Sequence, residues 1–133
     1  MGSEMCIRDR DMKNLCPFSL LCGVALSDQS SPNVGNLHVY PGSHLDPTLH
    51  QWYSACIQQA EGDEAPGKPD LGESTQVLLN KGDVVIAHVL LAHRVGINFS
   101  ENIRYQLYYR VAHSQHAALK ERILDDPWVE FAV

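Results

Sequence analysis

The sequence is short of basic residues. Ten Lys and Arg stand against sixteen Asp and Glu, a formal charge of −6 over 133 residues. A balance of that sign argues against nucleic-acid and anionic-membrane partners, which need basic patches. No apolar run is long enough to span a bilayer. The first residues lack the basic, then apolar, then small-residue order of a secretory leader. The four cysteines, Cys6, Cys16, Cys22 and Cys56, form no C-x-x-C pair and no zinc-like spacing. Free, packed thiols in a reduced cytoplasmic setting are therefore expected. The chain also has no G-x-S-x-G elbow, no cysteine tied by a motif to a histidine, and no glycine-rich phosphate loop. Nucleophilic and nucleotide chemistry have little support.

What is present fits one domain with a real core. Residues 1–13, MGSEMCIRDRDMK, are charged and aperiodic, and are expected to lie outside the native domain as an artefactual or disordered segment. The domain proper is expected over 14–133, with the native chain extending further upstream. Leu15 to Leu26 is apolar, and Pro17 bars a helix interior, so a buried strand is expected from about Phe18. Ser27 to Asn36 is a loop, Leu37 to Tyr40 a short strand closed by Pro41-Gly42. Asp46 to Gly62 reads as a helix, with Asp46 as N-cap, Pro47 at the first position and an apolar stripe of Leu49, Trp52, Tyr53, Cys56, Ile57 and Ala60. Residues 61–74 read as a polar surface loop. Thr75 to Leu79 and Asp83 to Ala87 are strands about an Asn80–Gly82 turn. Arg104 to Val111 alternates, with Tyr105, Leu107, Tyr109 and Val111 on one face and Arg104, Gln106, Tyr108 and Arg110 on the other. A short helix over 114–124 follows. Short strands with two helices favour an antiparallel sandwich or jelly roll over a βαβ fold.

Two residues stand out for chemistry. His93 closes an apolar run before a Gly/Asn/Ser loop, and Arg104 opens the strand beyond it, eleven residues on. Neutral imidazole is a good Fe(II) ligand, and the two-histidine, one-carboxylate triad leaves positions open for a chelating cosubstrate. A guanidinium holds a carboxylate in a geometry lysine cannot match, and the polar face Arg104 shares with Gln106 and Tyr108 reads as the lining of an acid-binding cavity. His44-x-Asp46 has the spacing of a facial-triad pair and with His93 would complete an iron site. Asp46 is better employed as a helix cap, however, and Pro41-Gly42 breaks the strand before His44. His88 is expected to pack, and His50, His113 and His116 to lie at the surface.

The segments SLLCGVALSD, SPNVGNLHVYPGSHL, KGDVVIAHVLLAHRVGIN and IRYQLYYRV resemble the C-terminal half of the phytanoyl-CoA dioxygenase family over roughly residues 14–131. The resemblance implies a mainly β, double-stranded β-helix (a cupin-like jelly roll) with one or two peripheral helices, lacking its N-terminal strands and leaving exposed sheet edges. It implies Fe(II) as cofactor and 2-oxoglutarate as cosubstrate, acting on a small-molecule substrate. By motif, the distal iron ligand falls on His93 and the arginine for the far carboxylate of 2-oxoglutarate on Arg104. The family's His-x-Asp belongs upstream of Leu15, where this sequence supplies none, and the histidine of PGSH, His44, is not a ligand in that pattern. An inactive piece of an oxygenase is therefore expected. A jelly roll binding a small carboxylate or sugar without metal is the alternative.

Overall fold

The structure is a computed structural model that describes residues 16–58 and 67–131. The segment 1–13, and the last part of the expected helix with the loop start at 59–66, lie outside the described residues. Among the described residues six strands form: β1 (Leu20–Ala25), β2 (Leu37–Val39), β3 (Thr75–Val77), β4 (Val84–His88), β5 (His93–Val95) and β6 (Gln106–Val111). Two helices accompany them, α1 (Pro47–Gln58) and the short α2 (His116–Leu119), which runs into a 3₁₀ turn at Lys120–Arg122. The strands make two three-stranded antiparallel sheets, ordered β4-β1-β6 and β3-β2-β5. The chain is mainly β.

β1 is the middle strand of its sheet, so its backbone is committed on both edges. Pro17, which could not donate to either neighbour, falls before it. Cys16 also lies outside the strand, at a left-handed φ of 53°, so it does not share an extended face with Cys22. The strands on either side of Asn80–Gly82 form as expected and belong to different sheets. Asp83 N–H donates to Asn80 O at 3.0 Å, while Asn80 N–H donates to Asp83 Oδ2 at 2.7 Å. This closed turn docks on the end of β1 through Gly82 N–H to Ala25 O at 2.8 Å, and so hands the chain from one sheet to the other. A second tie lies beside it: Gln29 and Leu79 exchange both backbone bonds, at 2.8 and 3.1 Å.

α1 starts where its sequence says it should. Asp46 Oδ1 accepts from the backbone N–H of Thr48 at 2.8 Å and of Leu49 at 3.4 Å, satisfying donors that no carbonyl of the helix can reach. Leu49 on the apolar stripe is fully buried. A separate core of Cys16, Leu90 and Ile123, flanked by Val89, Leu124 and Val129, joins the start of the described chain to its C-terminal turns.

The β4-β1-β6 sheet is patterned inside out. On its outer face the cross-strand rows are Val84–Val24–Leu107 and Ile86–Cys22–Tyr109. Val84, Ile86, Leu107, Tyr109 and Val111 are all exposed. A contiguous apolar face of this kind is an association hazard. Ile86, 65 % exposed on β4, is the most open apolar side chain of that strand. Ile86→Lys is expected to raise the concentration at which the chain stays monodisperse in light scattering. The unfolding free energy should move by no more than about 0.5 kcal/mol. Unchanged aggregation would show that this face does not limit solubility.

Candidate functional site

Arg104, just ahead of β6, joins the face of that strand on which alternation places Gln106 and Tyr108, with Gln106 half-buried and Tyr108 exposed. The Arg104 guanidinium donates through Nε to Gln29 Oε1 at 3.0 Å, and through Nη2 to Gln106 Oε1 at 3.0 Å and Tyr108 Oη at 2.8 Å. Gln29 Nε2 donates to the same Gln106 Oε1 at 2.8 Å. Gly23, opposite Tyr108 in register, makes room for this cluster. A Cβ there would sit 2.8 Å from the Tyr108 ring and 2.9 Å from Gln106 Nε2. Gly35 does the same for the arginine stem: its φ of 83° suits glycine, and a Cβ would lie 3.2 Å from Arg104 Cδ. The backbone around Arg104 also helps line a groove of about 440 Å³ with Ser27, Asp28, Val34, Glu101 and Tyr105. Its two carboxylates suit it poorly to an acid. None of the guanidinium's three partners lines it.

His93 opens β5, in the other sheet, paired with Val39 of β2. Its Nδ1 lies 2.8 Å from Leu91 O. A carbonyl only accepts, so Nδ1 carries the proton and Nε2 keeps its lone pair, the tautomer a metal ligand needs. The chain between His88 and His93 turns out of one sheet and into the next, so the two never share a continuous strand. His88 packs, as expected: Nε2–H donates to Pro127 O at 2.8 Å and Nδ1 accepts from Leu90 N–H at 3.1 Å.

His44 and Asp46 are occupied elsewhere. Asp46 caps α1, and the His44 ring lies 5.5 Å from Trp128 edge-on and 5.9 Å from His88. His50, expected in solvent, is buried, with Nε2 donating to His44 O at 2.9 Å. The 3₁₀ turn at Ser43–Leu45 bends that carbonyl back toward α1, which spacing along a helix could not reveal.

His116, also expected at the surface, is the larger correction. It is buried, with Nε2 2.8 Å from Cys16 O, Nδ1 2.6 Å from Glu130 Oε1 and 3.2 Å from Ser19 Oγ. The Cys16 carbonyl accepts from the Nε2–H, and the Glu130 carboxyl shares a short hydrogen bond with Nδ1 on the other side of the ring. Serine, histidine and glutamate do not make a nucleophilic triad here. Ser19 and Glu130 address the same ring nitrogen, whereas a triad needs them on opposite ones, and Ser19 is sealed from solvent. No motif announces the cluster, because Cys16 and Ser19 come from the other end of the chain and Glu130 from turns beyond the helix.

The thiols fit their packing role. Burial, with the nearby Glu130 charge, pushes Cys16 up to about 12, and burial raises Cys56. Among the described residues no group of three or more His, Cys, Asp or Glu could hold a metal ion. The donors among the described residues therefore do not fit a complete iron triad around His93. Also among the described residues, no helix is long and apolar enough to cross a membrane.

Two measurements follow from these contacts. His116→Ala would leave Glu130, whose side chain is 1 % exposed, without its hydrogen-bond partner, and would free the Cys16 carbonyl as well. It is expected to lower stability by about 2–3 kcal/mol in urea unfolding. His88 is held below its ordinary 6.5 chiefly by burial, with the neighbouring His44 adding to the effect and the Pro127 carbonyl opposing it; burial lowers His38 too. The unfolded chain then takes up protons near 6.5 that the folded chain binds only at lower pH. Stability is complete above about 6.5 and declines as pH falls below it. His88→Gln should show a shallower fall in Tm than the wild type between about pH 7 and pH 5.

Comparison with known proteins now bears on these residues. No curated protein matches the chain. A family model described as phytanoyl-CoA dioxygenase matches residues 10–105, a span that includes both His93 and Arg104. The chain belongs to the phytanoyl-CoA dioxygenase family.

Proposed function

We propose that the chain is the part of an Fe(II)- and 2-oxoglutarate-dependent dioxygenase that carries the distal metal ligand, His93, and the cosubstrate clamp, Arg104. Members of the family are typically dioxygenases using that metal and that cosubstrate. The reaction so assigned couples oxidative decarboxylation of 2-oxoglutarate to hydroxylation of a small organic or lipid-derived substrate, on a jelly-roll framework to which the two antiparallel sheets belong. One observation carries the reading: the hydrogen-bond partners of Arg104 described above are all neutral, so its charge is held in place without being cancelled. His93 supports it by presenting the Nε2 lone pair.

The described residues offer one of the three metal donors, so the chain on its own is expected to be inactive. The same shortage favours a second reading, a β module that binds a small acid or sugar without metal. Iron content of the full-length protein after anaerobic loading and desalting separates the two: stoichiometric iron supports the first, none the second.

Acid recognition is tested directly. Arg104→Ala is expected to weaken 2-oxoglutarate binding by about ten- to a hundredfold in calorimetric titration, and to lower the Tm moderately because the buried Gln29 Oε1 loses its donor. Equal affinity in the variant would remove Arg104 from the site.

A further inference from the structure

A guanidinium has five N–H groups. In Arg104 the Nε hydrogen goes to Gln29 and the two Nη2 hydrogens go to Gln106 and Tyr108. Among the described residues Nη1 makes no such bond, so its two hydrogens form the open end of the group. Gln29, which holds the opposite edge, is fully buried and cannot swing away. Its backbone is paired twice with Leu79, and its carbonyl also accepts from Asn36 Nδ2 at 2.8 Å. Its side-chain amide is spent on both sides, accepting from Arg104 and donating to Gln106.

We propose that Gln29 is the positioning residue for acid recognition: it locks Arg104 through Nε so that a short dicarboxylate is received end-on, by Nη1. This rests on the reading of Arg104 as the acid clamp. Two consequences follow from the chemistry. Side-on seating through Nε and Nη2, the other way a carboxylate can grip a guanidinium, is closed unless the buried Gln29 and its partner Gln106 are displaced from their hydrogen bonds. Neutrality at position 29 is also required, because a carboxylate of the same length on Nε would satisfy the charge that the ligand needs.

The test uses the full chain with 2-oxoglutarate and succinate as probes. Nitrogen-detected NMR reads the Arg104 side chain and calorimetry reads affinity. Gln29→Glu preserves length and the bond to Nε, and is expected to lower affinity for both acids by more than about tenfold. Gln29→Leu removes the bond without adding charge. It should lose the exchange-protected Nε–H signal and weaken binding to a smaller extent. In the wild type, added acid should shift the Nη resonances and leave Nε–H in place. Wild-type affinity in Gln29→Glu would overturn the proposal, as would an Nε–H signal that moves with ligand as far as Nη does. If Gln29→Glu fails to fold, wild-type affinity in Gln29→Leu serves the same purpose. Should Arg104→Ala bind as the wild type does, or the wild type bind neither acid, the clamp reading itself falls. Loss in Arg104→Ala with no loss in either Gln29 variant would leave the clamp standing and remove Gln29 from it.

Discussion

Gln29 and Leu79 exchange two backbone hydrogen bonds at the seam between the sheets, and much of the architecture depends on that pair. Gln29 follows β1, the middle strand of one sheet, and Leu79 follows β3, an edge strand of the other. Pairing them fixes where the Asn80–Asp83 turn lands, and hence where β4 enters beside β1. The same residue sends its side chain to Arg104, so the seam and the candidate acid site are tied together. Buried amides are costly unless every group finds a partner. Gln29 meets that condition through its backbone and both ends of its amide, which is why it can serve as a rigid base.

The site divides along the same seam. His93 opens a strand of the second sheet, whereas Arg104 stands just ahead of β6 of the first. Each is prepared by its own neighbours: Leu91 O selects the histidine tautomer, and three neutral oxygens orient the guanidinium. Neither preparation needs the other, so the two functions are separable by mutation. The groove that Arg104 lines with Asp28 and Glu101 offers the wrong charge for an acid, and none of the guanidinium's hydrogen-bond partners lines it.

Local pattern made a good part of this legible. The Asp46 cap with Pro47 predicted the start of α1. The alternation of β6 separated Arg104, Gln106 and Tyr108 from Tyr105, Leu107 and Tyr109, and turn residues marked both ends of the loop over 27–36. What local pattern could not show was which groups from remote segments meet. His50 and His116 look like solvated helix-start histidines until the 3₁₀ turn supplies one with a carbonyl and the C-terminal turns supply the other with a carboxylate. Gln29 sits in a loop of turn formers, where a glutamine carries no signal. Its role arises only when β6 and the Leu79 segment close on it.

The closure around His116 sets an order of events during folding. Its ring contacts Ser19 and Cys16 across separations of 97 and 100 residues, and β1 between them draws both of its pairing partners from later in the chain. Contacts of such span are slow to form, because the loop must close before any of them contributes. On the ribosome, β1 therefore emerges as an apolar ribbon with both edges open, and it stays so until β4 and β6 have been made. The strand at the centre of the finished sheet therefore waits for both of its neighbours, which the chain supplies only later.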